Sequence, residues 1–247
     1  MTRSDTGPTV SRSRSGADPA TRVSPIEAVV GRMTEIASSL PPEDGVARFN
    51  GLYLEVTRQV LADTRSDTFE DPRFIERLDE VFAELYFAAV DTDRSGGPVT
   101  RPWVPLFAAR RHKRVAPIQF ALAGMNAHIN HDLALALVRT LDEMRLRPVR
   151  DSPQHRDYRR VDEILARVEE RVNERFALGL IGVADEALGR LDDVVAMWSV
   201  ARARDAAWTH AETLWAIRRV APVREAFVLT LGRMVGLASR GLLVPVL

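Results

Sequence analysis

Apolar residues recur along this chain every three or four positions, which is the spacing of one face of an α-helix. Residues 24–27, Ser-Pro-Ile-Glu, have the signature of a capping box with proline at the first helical position. Asp71 followed by Pro72 predicts a second helix start with Asp71 as its N-cap. The longer periodic stretches predict helices near 116–146, 154–178, 183–203, 204–219 and 222–240.

Strand-like alternation of polar and apolar residues is absent, so the pattern predicts an all-α protein. We expect a single-domain bundle of seven to eight helices over residues 24–247. Residues 1–23 are rich in Ser, Thr, Arg, Gly and Pro, with almost nothing to bury, and predict a disordered N-terminal tail.

Composition narrows the possible functions. The 247 residues are 46% hydrophobic and 28% charged, with a formal net charge of zero, which is typical of a globular protein. Neutrality gives no general attraction to nucleic acid or to an anionic membrane, and no apolar run reaches the ~20 residues of a bilayer span. The absence of cysteine excludes disulfides, zinc–thiolate sites and a cysteine nucleophile. We expect a cytoplasmic protein without nucleic-acid or membrane partners.

Residues 124–132, Gly-Met-Asn-Ala-His-Ile-Asn-His-Asp, concentrate polar side chains in an apolar helical segment. Such groups are costly to bury without partners, so they indicate a functional site. His128 and Asp132 are four residues apart, which lets both bind one metal ion or lets the carboxylate orient the imidazole. His131 lies on the same side, and Asn126 is a candidate ligand contact. The alternative is a structural His–Asp pair between helices.

A second polar cluster is predicted on the 204–219 helix, where Asp205, Trp208, Glu212 and Trp215 share one face. Tryptophans beside acids are typical of a pocket wall, and an apolar surround raises the pKa of a carboxyl toward general acid–base catalysis. The predicted helix break near residue 203 rotates Trp198 and Arg202 out of this face. The alternative is that the tryptophans anchor the core and the acids pair with neighbouring arginines.

Residues 110–114, Arg-Arg-His-Lys-Arg, form a basic run that indicates either a clamp for an anionic group, with Arg110 as the candidate, or a solvated loop. The chain has no Gly-rich phosphate loop and no dinucleotide fingerprint, so no nucleotide cofactor is expected.

Three segments, residues 103–107, 119–130 and 207–215, resemble an actinobacterial family of domains of unknown function, number 5995. The resemblance spans most of residues 25–240 and implies an all-helical fold without an established activity. The spacing of Gly124, His128 and Asp132 is also similar to a metal-ligand turn of the all-helical zinc-dependent phospholipase C group. That likeness covers nine residues, and this chain has too few histidines for the trinuclear zinc site of that group.

Together these patterns predict a small-molecule enzyme of hydrolase, lyase or cyclase type, with its site between the 116–146 and 204–219 helices. His128 with Asp132 is the predicted general base and orienting group, or part of a mononuclear site for one divalent metal. The predicted second acids or bases are Glu212 and Asp205, and the predicted substrate-binding residues are Asn126, Trp103, Arg110, Trp208 and Trp215. The alternatives are a non-catalytic helical ligand-binding protein and a scaffold that uses an exposed tryptophan face.

Overall fold

The computed structural model describes residues 24–64, 68–179 and 199–245, and all regular structure within them is helical. The all-α prediction is therefore confirmed. The elements in chain order are α1 (Pro25–Ser39), α2 (Gly45–Thr64), α3 (Pro72–Arg94), α4 (Val104–Ala109), α5 (Pro117–Ala127), a π-helical turn (His128–Asp132), α6 (Leu133–Glu143), α7 (Pro153–Gly179), α8 (Val200–Ala216) and α9 (Ala221–Leu242).

Capping hydrogen bonds form at the two helix starts that the sequence predicted. The Ser24 hydroxyl accepts a hydrogen bond from the Glu27 amide at 3.2 Å, and the Glu27 carboxylate accepts one from the Ser24 amide at 2.8 Å. The Asp71 carboxylate accepts a hydrogen bond from the Phe74 amide at 3.2 Å. Both N-cap predictions are confirmed, because these side chains satisfy amides that an open helix end leaves unpaired.

The predicted 116–146 helix is one continuous segment from α5 to α6, but it contains a π-helical turn. His128, the first residue of this turn, and Leu133, the residue after it, both keep right-handed helical torsions, and the Leu133 amide donates to the carbonyl of His128 five residues back. When this segment counts as one helix, the described residues form eight helices, which agrees with the predicted seven to eight. The π turn inserts one residue and so changes which faces α5 and α6 bury.

One predicted helix boundary differs clearly from the structure. Ser199 caps α8, which runs unbroken from Val200, so the predicted break near 203 is wrong. The predicted tail, residues 1–23, and residues 183–198 of the predicted 183–203 helix lie outside the described residues.

The central α5–π–α6 segment connects two groups of buried side chains. One group surrounds Phe49 and Trp103, and the other surrounds Leu137 and Trp208. Close helix approach helps to form the first group: a Cβ atom at Gly124 would lie 2.3–2.7 Å from atoms of the Phe49 side chain. Glycine therefore lets α2 and α5 pack closely enough to place Phe49 beside the π turn.

In the part of the chain that the structure describes, no helix combines the length and apolar character needed to cross a membrane.

Candidate functional site

Asp132, at the end of the π turn, is a buried carboxylate held by three donors. The indole Nε1–H of Trp103 donates to Oδ2 at 2.8 Å, and His131 Nδ1 lies 2.7 Å from Oδ1. His128 Nδ1 lies 3.3 Å from Oδ2. Burial acts to raise the pKa of Asp132, but the hydrogen bonds from His128 and His131 outweigh it and lower the pKa below its ordinary value. Asp132 is therefore ionised near neutral pH.

His128 presents a neutral imidazole. Burial lowers its pKa below the ordinary value and outweighs the opposing effect of the Asp132 carboxylate. An ionised carboxylate only accepts hydrogen bonds, so the proton of the neutral ring is on Nδ1, toward Asp132. The Nε2 atom then carries a lone pair, and it is buried without a hydrogen-bond partner among the described residues.

The ring of His128 is fixed by aromatic side chains from α2 and α3. It stacks on Phe82 with ring centroids 3.5 Å apart and planes inclined by 4°. Tyr53 lies edge-on with its centroid 4.6 Å away, and Phe49 lies edge-on at 5.8 Å. These contacts restrict the imidazole to one orientation, as an acid–base group requires.

His128 lines an apolar cavity of about 90 Å³ between α2, α3, α7, α8 and the central segment. Its lining is mostly aliphatic and aromatic; the residues are Phe49, Leu52, Tyr53, Val56, Val60, Ile75, Leu78, Asp79, Phe82, Met125, His128, Ile129, Leu133, Val161, Leu165 and Arg204. Leu52, Val56 and Phe82 are partly exposed, so this part of the lining reaches the surface. A mostly apolar cavity with a few polar groups is typical of a small-molecule site.

Two further polar groups in this cavity lack partners within the described residues. They are the Tyr53 hydroxyl and Oδ2 of Asp79, and both atoms are buried. Burial, and then the charge of Glu80, raises the pKa of Asp79 from 3.8 to about 7. Burial raises the pKa of Tyr53 as well, with contributions from the charges of Asp79 and Asp132. Three residues that line the cavity thus each carry one unsatisfied buried polar atom, although buried polar groups normally find partners.

The predicted second acids are not part of this cavity. The α6 and α8 helices do pack against each other, as the prediction required, but Glu212 and Asp205 lie on a different side of α8. Both contact Arg150, with N–O distances of 3.3 Å for Glu212 and 3.1 Å for Asp205. The Asp205 side chain is 51% exposed, and neither acid lines the cavity or contacts His128. The acids therefore pair with an arginine, as the alternative prediction stated, but this arginine is Arg150 and not a neighbour in the sequence.

The tryptophans have structural surroundings. Trp208 is fully buried, with its ring 4.6 Å from that of His155, and its Nε1–H donates to Glu212 at 3.2 Å. Trp215 is partly buried, and the Arg218 guanidinium lies 4.4 Å from its ring centroid. Trp103 is fully buried against Asp132. None of the three lines the cavity, and burial of Trp103 and Trp208 leaves neither ring free to form an exposed interface.

The other predicted ligand contacts bind within the protein. Arg110 contacts the carboxylates of Asp44 at 2.8 Å and Asp93 at 2.6 Å, so its charge is already neutralised. The Asn126 amide group donates to the Val235 carbonyl at 3.0 Å and to the Ser239 hydroxyl at 2.8 Å, which joins α5 to α9. Both residues therefore stabilise helix packing, and neither lines the cavity.

The predicted metal pair, His128 and Asp132, lacks further ligands. Both Asp132 oxygens accept hydrogen bonds from protein groups, and across residues 24–64, 68–179 and 199–245 no set of three or more His, Cys, Asp or Glu side chains is placed to hold a metal ion. Asp132 is therefore better placed to orient the His128 imidazole than to bind a metal ion.

Sequence reasoning missed Tyr53 and Asp79 as site residues. Tyr53 lies among the buried residues of α2, and its hydroxyl has no separate signal in the sequence. Asp79 is four residues after the buried Ile75 and three before Phe82, so a carboxyl at the edge of a buried helix face was the available signal.

Comparison with known proteins identifies a family but no activity. No curated protein and no solved structure matches the chain. Residues 26–245, nearly all of the described part, match the family of unknown function DUF5995, which is the family that the sequence motifs resembled. The chain therefore belongs to the family of unknown function DUF5995.

Proposed function

We propose that this protein is an enzyme that uses His128 as a general base. Its substrate is a small, largely apolar molecule that binds in the cavity between α2, α3, α7, α8 and the central segment. The observation that carries the proposal is the buried, unpartnered Nε2 atom of His128, a residue that Asp132 orients and that lines an apolar cavity. A neutral imidazole with a carboxylate on its other nitrogen is the arrangement that acid–base catalysis uses.

The residues around His128 suit this role. His128 Nε2 accepts a proton from the substrate, and the ionised Asp132 stabilises the resulting imidazolium. Trp103 and His131 hold Asp132 in place, so these three are positioning residues. Asp79, with its pKa near 7, supplies a proton donor close to neutral pH. The reaction classes that need only such groups are hydrolysis by an activated water, elimination and cyclisation.

The second candidate is a binding protein that holds the same ligand without turnover. The observation in its favour is that the described lining of the cavity contains no Ser, Thr or Cys side chain that could attack a substrate covalently. Binding alone would also satisfy the three unpartnered polar atoms.

The test compares three proteins incubated with the small-molecule fraction of a cell extract, with mass spectrometry before and after. We expect the wild type to convert at least one metabolite and His128→Gln to convert none. His155→Gln is the matched control, because His155 is also buried with an unpartnered Nε2 but packs on Trp208 outside the cavity. A metabolite retained without product supports the binding protein, and identical conversion by His128→Gln overturns the assignment of His128. Circular dichroism shows whether each variant is folded.

A further inference from the structure

Most of the large hydrophobic side chains that the described residues expose are gathered on one surface. Of eight such side chains, Val149 lies elsewhere, in the loop before α7, and Val104 begins α4, which packs against α9. The other six lie on α9 or next to its ends: Val220, Val223, Leu229, Met234, Leu237 and Val244. Single exposed hydrophobic residues are normal on a protein surface, whereas such a concentration marks an interaction surface.

The α9 helix carries apolar side chains on two opposite faces. Its inward face, which includes Leu231 and Val235, is buried. At about 100° per residue, Val223, Met234 and Leu237 fall within an arc of about 60° on the other side of the helix, which we term the outward face. Met234 is 64% exposed and Leu237 is 69% exposed, so this face is uncovered in the described structure. A helix that is apolar on all sides is normally buried on all sides, so we expect the outward face to have a partner.

The charges beside the outward face are positive. Arg233 and Arg240 lie within about 20° of each other around α9, and together with Arg101 they line a groove between α9 and the start of α4. No acidic side chain lines this groove, and none of the three arginines forms an ion pair with a described residue. Glu225, the only acidic residue of α9, lies about 120° away from Leu237 around the helix. The partner of this face should therefore be negatively charged as well as apolar.

We propose that the outward face of α9, with the arginines beside it, docks the protein on an anionic lipid surface. Interfacial helices combine apolar side chains that enter the acyl boundary with basic side chains that contact anionic headgroups. The exposed apolar residues extend along the whole of α9, about 33 Å, which suits a plane better than a pocket. A net charge of zero predicted no attraction to an anionic membrane, but the local charge of this surface is positive. No residue of α9 lines the cavity of the proposed function, so docking is a separate property.

A second copy of the chain fits this face less well. In a symmetric pair, both copies would place Arg233 and Arg240 at the contact, with no acidic residue on either outward face to pair with them. One face of a 22-residue helix also offers only roughly 300 Å², whereas a stable dimer buries about 800 Å² per partner.

The test is vesicle co-sedimentation of the full-length protein, with phosphatidylcholine vesicles that contain either no phosphatidylserine or about one third of it. We expect the anionic vesicles to bind at least tenfold more tightly, and this preference to disappear when NaCl is raised from about 0.05 to about 0.5 M. Each basic residue near an anionic surface raises affinity about fivefold, so Arg233→Gln/Arg240→Gln should bind about 30-fold more weakly. Leu237→Ser should bind about tenfold more weakly, because less apolar area enters the lipid.

Matched controls make the same kinds of change on other surfaces. Arg48→Gln/Arg58→Gln removes two exposed arginines of α2, and Val149→Ser removes the exposed hydrophobic side chain that lies apart from α9. Both should bind vesicles as the wild type does. Because all the substituted side chains are exposed, circular dichroism should show the same helical content in every variant.

The absence of cysteine allows the orientation of the docked protein to be measured with a single label. A nitrobenzoxadiazole group on Leu237→Cys should gain fluorescence on anionic vesicles, whereas the same group on Val149→Cys should not change. Equal binding by Arg233→Gln/Arg240→Gln and the wild type, or an equal response of both labels, overturns the proposal. Absence of vesicle binding overturns it as well, and sedimentation equilibrium then shows whether a second copy covers the face.

Discussion

The raised pKa of Asp79 predicts how the stability of the protein depends on pH, whether or not a ligand is bound. Its pKa is raised from 3.8 to about 7, so the folded protein retains a proton that the unfolded chain releases at lower pH. The free energy of unfolding should therefore fall as the pH rises from about 4 to about 7, and no further loss from this group should follow above that range. Each pKa unit corresponds to about 1.4 kcal/mol, so the full decrease in the free energy of unfolding is about 4 kcal/mol. Partial exposure of the residue makes this an upper bound.

Replacing Asp79 with Asn removes this titration while preserving the size of the side chain. We expect Asp79→Asn to equal the wild type near pH 4 and to be more stable at pH 8, by up to about 4 kcal/mol. The assay is urea unfolding followed by far-UV circular dichroism at pH 4, 6 and 8. His128, whose lowered pKa gives the opposite trend as pH falls below about 6.5, is present in both proteins and cancels in the difference.

The matched control is Asp205→Asn, because this aspartate forms an exposed pair with Arg150. Such a surface pair contributes about 1 kcal/mol or less. A stability gain in Asp79→Asn that is the same at every pH would mean that the effect comes from packing. A loss of stability at pH 8 would show that the Asp79 carboxylate has a compensating partner, and would refute our account of the cavity.

Three further substitutions test the packing that holds the site. Trp103→Phe removes a donor to the buried Asp132 and should lower the free energy of unfolding by about 2 kcal/mol or more in urea titration. Gly124→Ala forces a Cβ atom into the ring of Phe49 and should cost about 1–3 kcal/mol in thermal unfolding, although alanine favours helix formation. Asp157→Asn should cost about 1–3 kcal/mol by the same measurement, because this buried carboxylate accepts backbone hydrogen bonds at the start of α3 through both of its oxygens. Unchanged stability in any of the three would contradict the stated contact.

Much of the fold could be predicted because the signals are local. The capping box at Ser24 and the N-cap at Asp71 depend on residues within one helical turn, and both form as predicted. The break predicted near 203 failed because Ser199, four residues earlier, supplies the cap for a longer helix. A short sequence window contains several possible starts, and tertiary packing selects among them.

The contact between His128 and Asp132 could be predicted from the sequence. The two side chains meet, as their spacing of four residues indicated, and they are the base and the orienting carboxylate of our proposal. Glu212 was assigned to the same site because the two helices were expected to face each other. They do, but helix contact alone does not fix which faces meet, and the π turn alters the phase between α5 and α6.

The two groups of polar residues in the centre of the fold require different explanations. Asp132 accepts hydrogen bonds from Trp103, His131 and His128, so its burial is accounted for by the protein itself, and no ligand is needed to explain it. The polar residues that line the cavity have no such account, because Asp79 Oδ2 and His128 Nε2 are buried without partners in the described structure. Selection for stability alone would favour an apolar side chain over an unpaired carboxyl in this place. Substitution of Trp103 should therefore act first on folding, whereas substitution of Asp79 should stabilise the protein and weaken binding, and that opposition is the mark of a residue retained for a ligand.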